Sequence, residues 1–375
     1  MERIQFSQII QQLNTSKVIL LSGPRLAGKE VIAQQCIQEF AKETLQIDLG
    51  NKKERKVLEE ATASDLVHTF KNFPLVVIHE AQYLSNLQTI IEEVLSGTIE
   101  STLLLTCSFE PLLDELLKEV LDLQRLHFKI LPPSFYELAN TNGLPEEEKL
   151  VEQRIVFGNY TAVTESLENA KEILEHLLET IIVTDLGVTD RINKRIQLQR
   201  MLQFLSFSIG EPISYNEIAE KCDLDNETVE RYIHLLVKAF VLIKLPSYST
   251  ERRYELKKSH MIYFVDNGIR NAIINNFNPH TLRVDLDQLW LNWLISERIK
   301  WNNIQHKSPT YWFWRTHTRQ TIEFIEENDG LLNAYKGTWE KKKKLKFPQM
   351  FEEYYPEIST FTLNRSTYWG FLTKK

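Results

Sequence analysis

The sequence predicts an α/β protein: a parallel-sheet domain, then a helical region containing a winged helix, then a small α+β domain. Three observations predict this. Short apolar runs alternate with amphipathic stretches through residues 1 to about 135. A Gly-x4-Gly-Lys pattern lies between the first run and the first such stretch. Composition then shifts twice, to a leucine-rich helical region and to a segment holding all seven tryptophans.

The apolar runs are residues 18–21, 45–49, 75–78, 103–105 and 128–131, with helix-like stretches at 30–43 and 83–95. Fully apolar strands interleaved with helices indicate a parallel sheet covered on both faces. Pro132-Pro133 ends the last run. Leu and Ile at three- and four-residue spacing predict helices over 170–184 and 192–207. Stretches 214–222 and 227–240, joined by residues 223–226 and followed by a strand over 241–245, read as a winged helix-turn-helix. The expected domains are 1–138, 139–200 as a helical linker, 201–265 as the winged helix, and 266–375.

With 51 acidic against 44 basic residues, the net charge of -7 offers no global field for nucleic acid, so any such contact must be local. Cys36, Cys107 and Cys222 are too far apart for a disulfide framework or a paired zinc motif. No apolar run approaches the ~18 residues of a membrane span. The first residues lack the layout of a secretory signal. A cytoplasmic setting without a membrane partner is expected.

Gly23, Pro24, Arg25, Leu26, Ala27, Gly28 and Lys29 form the core of a P-loop, after a strand and before a helix. Glycines expose backbone N–H groups to phosphate, the helix N-terminus adds positive potential, and the lysine reaches the terminal phosphates. Position 30, where a hydroxyl would ligate magnesium, holds Glu30. A carboxylate ~5 Å from a phosphate charge costs about 3 kcal/mol at an effective dielectric of 20. Glu30 could instead pair with Lys29 and fill the empty loop. The strand over 75–78 is followed by His79-Glu80. Glu80 keeps the position of a general base, whereas His79 replaces the acid that would hold magnesium, and imidazole suits that hard cation poorly. Binding is thus expected to outlast hydrolysis, with no metal ligand assigned.

These motifs resemble a prokaryotic family of predicted AAA+ ATPases that carry a C-terminal domain of unknown function. The loop 23–30 stands against the family's Gly-Pro-Arg-x-x-Gly-Lys-Thr, and Ile78-His79-Glu80-Ala81-Gln82 against Leu-Asp-Glu-x-Gln. Leu105-Thr106-Cys107-Ser108, Gln124-Arg125, residues 131–138 and the Tyr263–Arg270 stretch match further signatures in order. The resemblance implies an AAA+-type P-loop NTPase core that binds ATP or ADP, and a restriction-endonuclease-like tail. It implies that Thr106 or Ser108 senses the terminal phosphate and that Arg125 acts as an arginine finger. Read alone, Arg125 is a surface arginine beside His127.

In the predicted winged helix the outward residues Asn226, Glu227, Glu230, Arg231, His234 and Lys238 form no basic stripe, while the wing carries Arg252, Arg253, Lys257 and Lys258. DNA or a protein could be the partner. In the tail, Trp312–Thr316, Thr321–Ile325 and Leu332–Lys336 resemble the nuclease motifs. Glu323 and Lys336 keep two positions and Glu297 could be a further ligand, but Ala334 removes a carboxylate, so nuclease activity is not expected. The Lys341–Lys346 run beside Trp339 reads either as a phosphate track or as a solvated edge. Trp290, Trp293 and Trp301 are expected to pack a helix onto the tail's sheet.

The expected function is a nucleotide-responsive regulatory or interaction protein with weakened or absent hydrolysis. Two rivals are an active ATPase using Glu30 as metal ligand, and a DNA- or protein-binding adaptor. The sequence leaves oligomeric state open.

Overall fold

Five parallel strands form the first sheet: β1 Val18–Ser22, β2 Thr44–Asp48, β3 Leu75–His79, β4 Thr102–Cys107 and β5 His127–Lys129, in the order β2-β3-β4-β1-β5. β1 and β4 are buried at every position and β3 at all but its last, as strands covered on both faces must be. Edge strand β2 is only half-buried or exposed along its length. Helices α1 Gln5–Thr15, α2 Lys29–Phe40, α3 Lys52–Glu60, α4 Ala63–Phe70, α5 Leu87–Leu95 and α6 Glu115–Leu123 complete this part. Ile9, Ile32, Phe70, Ile90 and Ile91 join the strand residues in one core. The sequence predicts a helix over 83–95, but α5 begins only at Leu87. Glu80 takes a left-handed conformation (φ 57°), and Ala81–Tyr83 form a single 3-10 turn before the chain re-enters a helix.

The computed structural model describes residues 3–40, 43–186, 194–249 and 259–373. The chain divides into two units, Met1–Pro133 and Ser134–Lys375. The second contains α7 Phe135–Asn142, α8 Leu144–Phe157, α9 Thr161–Glu165, α10 Ala170–Thr180, α11 Arg195–Phe207, α12 Tyr215–Cys222, α13 Asn226–Lys238, α14 Asn267–Ile273, α15 Leu286–Ile304, α16 Gln349–Tyr354 and α17 Tyr368–Thr373. A three-stranded antiparallel sheet, β6 Pro212–Ile213, β7 Leu242–Pro246 and β8 His260–Phe264, has the order β6-β8-β7. A four-stranded mixed sheet, β9 Thr310–Arg315, β10 Thr321–Asn328, β11 Leu331–Gly337 and β12 Ser359–Leu363, has the order β12-β11-β10-β9. The helix expected over 170–184 stops as α-helix at Thr180 and continues as a π turn, Ile181–Asp185. The wing residues Arg252, Arg253, Lys257 and Lys258 lie outside the described residues. Among the described residues no helix is long and apolar enough to cross a membrane.

The Tyr263–Arg270 stretch is a buried junction. Asp266 accepts hydrogen bonds from the backbone of Asn159 (2.8 Å) and of Gly268 (2.8 Å), capping α14, and Arg270 donates to the Ser206 carbonyl and to Asp285. Glu297, a candidate further ligand in the nuclease resemblance, belongs to this junction. Its carboxylate takes up the amide of Phe135, the Asn159 side chain (3.0 Å) and the Lys300 ammonium (2.7 Å), so both oxygens are already used. Trp290 and Trp293 on α15 are almost fully buried and stack on each other at 5.2 Å, in keeping with a packing role.

Burial raises the Asp266 carboxyl above its ordinary 3.8, opposed by Lys300 and the amides it accepts from. A carboxyl with a raised folded pKa binds more protons folded than unfolded. Its stabilising share is therefore complete below pH 3.8 and is lost as pH rises through the folded value. Asp266→Asn keeps an N-cap acceptor and removes this titration. Denaturant unfolding of the variant between pH 4 and 7 is expected to lose less stability than wild type. An equally steep decline would contradict that role for Asp266.

Candidate phosphate site

β1 ends beside the last residues of β4 and β5, and the loop 23–28 leaves the sheet there. Gly23 N donates to Cys107 O (3.0 Å), and Ile130 N donates to Ser22 O (2.7 Å). A Cβ on Gly23 would lie 1.9 Å from the Ile130 carbonyl oxygen, so packing of the strand ends already requires glycine here. Gly28 needs glycine for another reason, its φ of 101°. α2 begins one residue later at Lys29, which brings the unpaired first-turn amides of a helix to the loop.

Lys29 is fully buried. Its Nζ donates to the Pro24 carbonyl inside the loop (2.9 Å) and stands 3.9 Å from the half-exposed Glu30 carboxylate. Burial pulls the ammonium below its usual range, while Glu30 and Glu80 hold it up. Glu30 therefore faces both Lys29 and solvent, and its repulsion of a phosphate would be smaller than a buried carboxylate's.

Across the loop, Arg25 donates through both terminal nitrogens to the two oxygens of Glu80 (3.3 and 3.2 Å) and also to Tyr83 Oη (3.4 Å). Glu80 further accepts from Gln82 Nε2 (2.6 Å) and Ser108 Oγ (2.8 Å). Its own amide donates to Thr106 Oγ1 (3.4 Å), which lies 3.4 Å from His79 Nδ1. The amide of Ser108 donates to Gln82 Oε1 (3.2 Å). The structure thus joins Arg25, Glu80, Thr106 and Ser108 in one hydrogen-bonded cluster. Pro24, Leu26, Ala27, Gly28, Lys29 and Glu30 form the loop itself.

Arg125 stands apart. It is exposed, left-handed (φ 54°) at the end of α6, and pairs with no side chain among the described residues. Nearby, Ser22 Oγ, His127 Nε2 (2.7 Å) and Asp122 (3.5 Å from His127 Nδ1) line up like a hydrolase triad, but Ser22 is wholly buried and serves the sheet.

Arg3 is a residue that sequence reasoning missed. Its guanidinium donates to the Ala27 carbonyl (2.7 Å) and the Leu131 carbonyl (2.9 Å), bracing the loop against the chain after β5. Both partners are backbone atoms, 24 and 128 residues away, and no local pattern announces them.

In the tail, the pairing of β10 with β9 is irregular between Ile322 and Ile325, at Glu323. Glu323 Oε1 lies 3.7 Å from Lys336 Nζ, and its buried Oε2 has no hydrogen-bond partner. Burial raises this carboxyl, with Lys336 opposing. Ala334 is core, and no cluster of three or more His, Cys, Asp or Glu suited to a metal occurs among the described residues. Trp339, beside the lysine run, is already engaged: the Arg365 guanidinium lies 4.3 Å over its ring, and Trp290 meets it edge-on at 5.4 Å.

Residues 15–139 match the family model described as "AAA domain", and residues 148–280 match a domain of unknown function, DUF8612. An uncharacterized protein of Haemophilus influenzae is 24% identical over 287 residues, 71% of this chain and 72% of that protein. The Walker-type ATPase paby2304 of Pyrococcus abyssi has 14% identity and a TM-score of 0.46, over 73% of this chain and 95% of that one. The RuvB Holliday junction branch migration motor of Thermotoga maritima has 17% identity and a TM-score of 0.31, over 64% and 88%. Within the first unit, the residues that match the AAA model hold the P-loop pattern and the five-stranded parallel sheet.

Proposed function

We propose that the first unit binds the phosphates of ATP or ADP at residues 23–30, with little or no hydrolysis, and that the bound nucleotide regulates what the second unit does. The pairing of Arg25 with Glu80 is the observation that carries this reading. Without ligand, both loop cations are satisfied by the protein: Lys29 by the Pro24 carbonyl, Arg25 by Glu80. A polyphosphate offers each a stronger, charged partner. Thr106 and Ser108, hydrogen-bonded to Glu80 or its backbone, would register the exchange.

Magnesium does not fit the residues that would hold it. His79 presents an imidazole nitrogen beside the Thr106 hydroxyl, where an acid is needed, and Glu30 offers a half-exposed carboxylate beside Lys29. Glu80, with both oxygens hydrogen-bonded, is a restrained base.

In this reading Glu80 competes with phosphate for Arg25. Glu80→Gln removes the competing charge, so equilibrium titration with a fluorescent ATP analogue is expected to show about tenfold tighter binding, the equivalent of ~1.4 kcal/mol. Equal or weaker binding would argue against the competition.

A second reading, an adaptor that holds duplex DNA or a protein, draws on one observation. α11, β6, α12, α13, β7 and β8 follow the helix and strand order of a winged helix. Salt-sensitive duplex binding, reduced by reversing Arg252 and Arg253, would favour it over the nucleotide reading.

A further inference from the structure

A cavity of about 450 Å³ opens in the second unit between the first turns of α8, the chain after β11 and the start of α17. That volume lies in the range of small-ligand sites. Pro145 and Val151 give it an apolar wall, and four charged side chains line the rest: Glu148, Lys149, Lys341 and Arg365. Tyr368, the first residue of α17, completes the lining. Its ring packs against Trp290 (5.5 Å), Trp293 (5.8 Å) and Phe135 (5.9 Å), which leaves the residue only 5% exposed. Its hydroxyl has no hydrogen-bond partner among the described residues. Burial pushes that hydroxyl above its ordinary 10, Glu148 adds to the rise and Arg365 opposes it. Both charges belong to the cavity, so the hydroxyl stands at its wall.

Two of the four lining charges are already engaged. Lys149 pairs with Glu146 (2.7 Å), and Arg365 with Glu152 (3.4 Å) and the Trp339 ring. Glu148 and Lys341 pair with no opposite charge among the described residues, nor with each other. The backbone beneath Lys341 is fastened, because Ser366 Oγ donates to its carbonyl (2.6 Å). One carboxylate, one ammonium and one hydroxyl, all without partners, thus line a single cavity.

We propose that this cavity binds a zwitterion, a free amino acid or a dipeptide, with its ammonium on Glu148 and its carboxylate on Lys341, Arg365 and the Tyr368 hydroxyl. Arg365 keeps guanidinium donors beyond the one that meets Glu152. An anion alone would leave Glu148 opposing it, and a cation alone would face Lys341 and Arg365. A ligand carrying both charges answers each lining group with a charge-assisted hydrogen bond. The packed tyrosine ring is already ordered, so binding costs little there. A free amino acid and a dipeptide share this chemistry, and the site stands independently of any nucleotide at the P-loop.

Calorimetric titration of the full chain tests this in two arms, the twenty protein amino acids and the twenty Gly-Xaa dipeptides. A dissociation constant below about 1 mM is expected in at least one arm, and the tighter arm names the source. Tyr368→Phe removes the hydroxyl and keeps the packed ring, while Glu148→Gln and Lys341→Gln remove exposed charges. Each is expected to weaken the bound compound about tenfold, the loss of one charge-assisted contact. N-acetylation of that compound removes its ammonium. It should cost about tenfold in wild type and less than about twofold in the Glu148→Gln variant. No saturable binding in either arm, or binding that Tyr368→Phe and Glu148→Gln both leave unchanged, overturns the proposal.

Discussion

Lys29→Met is expected to weaken ATP binding about 100-fold, the loss of one buried charge-assisted contact worth ~3 kcal/mol. The variant separates binding from folding. Methionine keeps the buried stem and removes an ammonium that burial already disfavours, at the cost of one of the two donors to the Pro24 carbonyl, the Ala27 amide (3.3 Å) remaining. Those two changes oppose each other, so unfolding stability should move by only about 1 kcal/mol. Loss of affinity in a variant of normal stability is the signature of a lysine that meets phosphate. Unaltered affinity would mean that Lys29 only closes the loop, and that the P-loop is scaffold.

The second large effect is structural. Gly23→Ala would press a methyl group to within 1.9 Å of the Ile130 carbonyl, a rigid backbone atom tied to β1 through the Ile130–Ser22 bond. Relief requires the end of β5 to move from β1. Such overpacking against backbone costs about 3 kcal/mol, which lowers the midpoint of thermal unfolding by roughly 10 °C. Calorimetry of wild type and variant reads this directly, and a midpoint shifted by less than about 2 °C would show that the strand ends give way easily.

Much of the first unit was legible because burial writes itself into composition. β1, β3 and β4 are buried on both faces, so their runs are wholly apolar and stand out. The P-loop was legible because its glycines and lysine fall within seven consecutive residues. What escaped was whatever depends on contacts between distant residues. Arg25 and Glu80 each belong to a recognisable motif, yet neither motif shows that the two lock together across 55 residues. Arg3 carries no pattern at all. Glu297 could pass for a metal ligand because its sequence shows a carboxylate but not the three donors that consume it. The late start of α5 follows from the left-handed Glu80, a conformation that residue identity does not announce.

The same distinction bears on the tail. Glu323 and Lys336 come together where β10 pairs irregularly with β9. Ala334, by contrast, is packed into the core, where no carboxylate could be recovered by a rotamer change.

In the proposed reading, Arg25 and Lys29 exchange protein partners for phosphate at a site whose donors do not suit a divalent cation. Equilibrium titration of the full-length chain with ATP, with millimolar magnesium and then with EDTA, tests this most directly. A saturable isotherm is expected, with a dissociation constant that changes by less than about threefold between the two conditions. Binding tightened more than about tenfold by magnesium would contradict it.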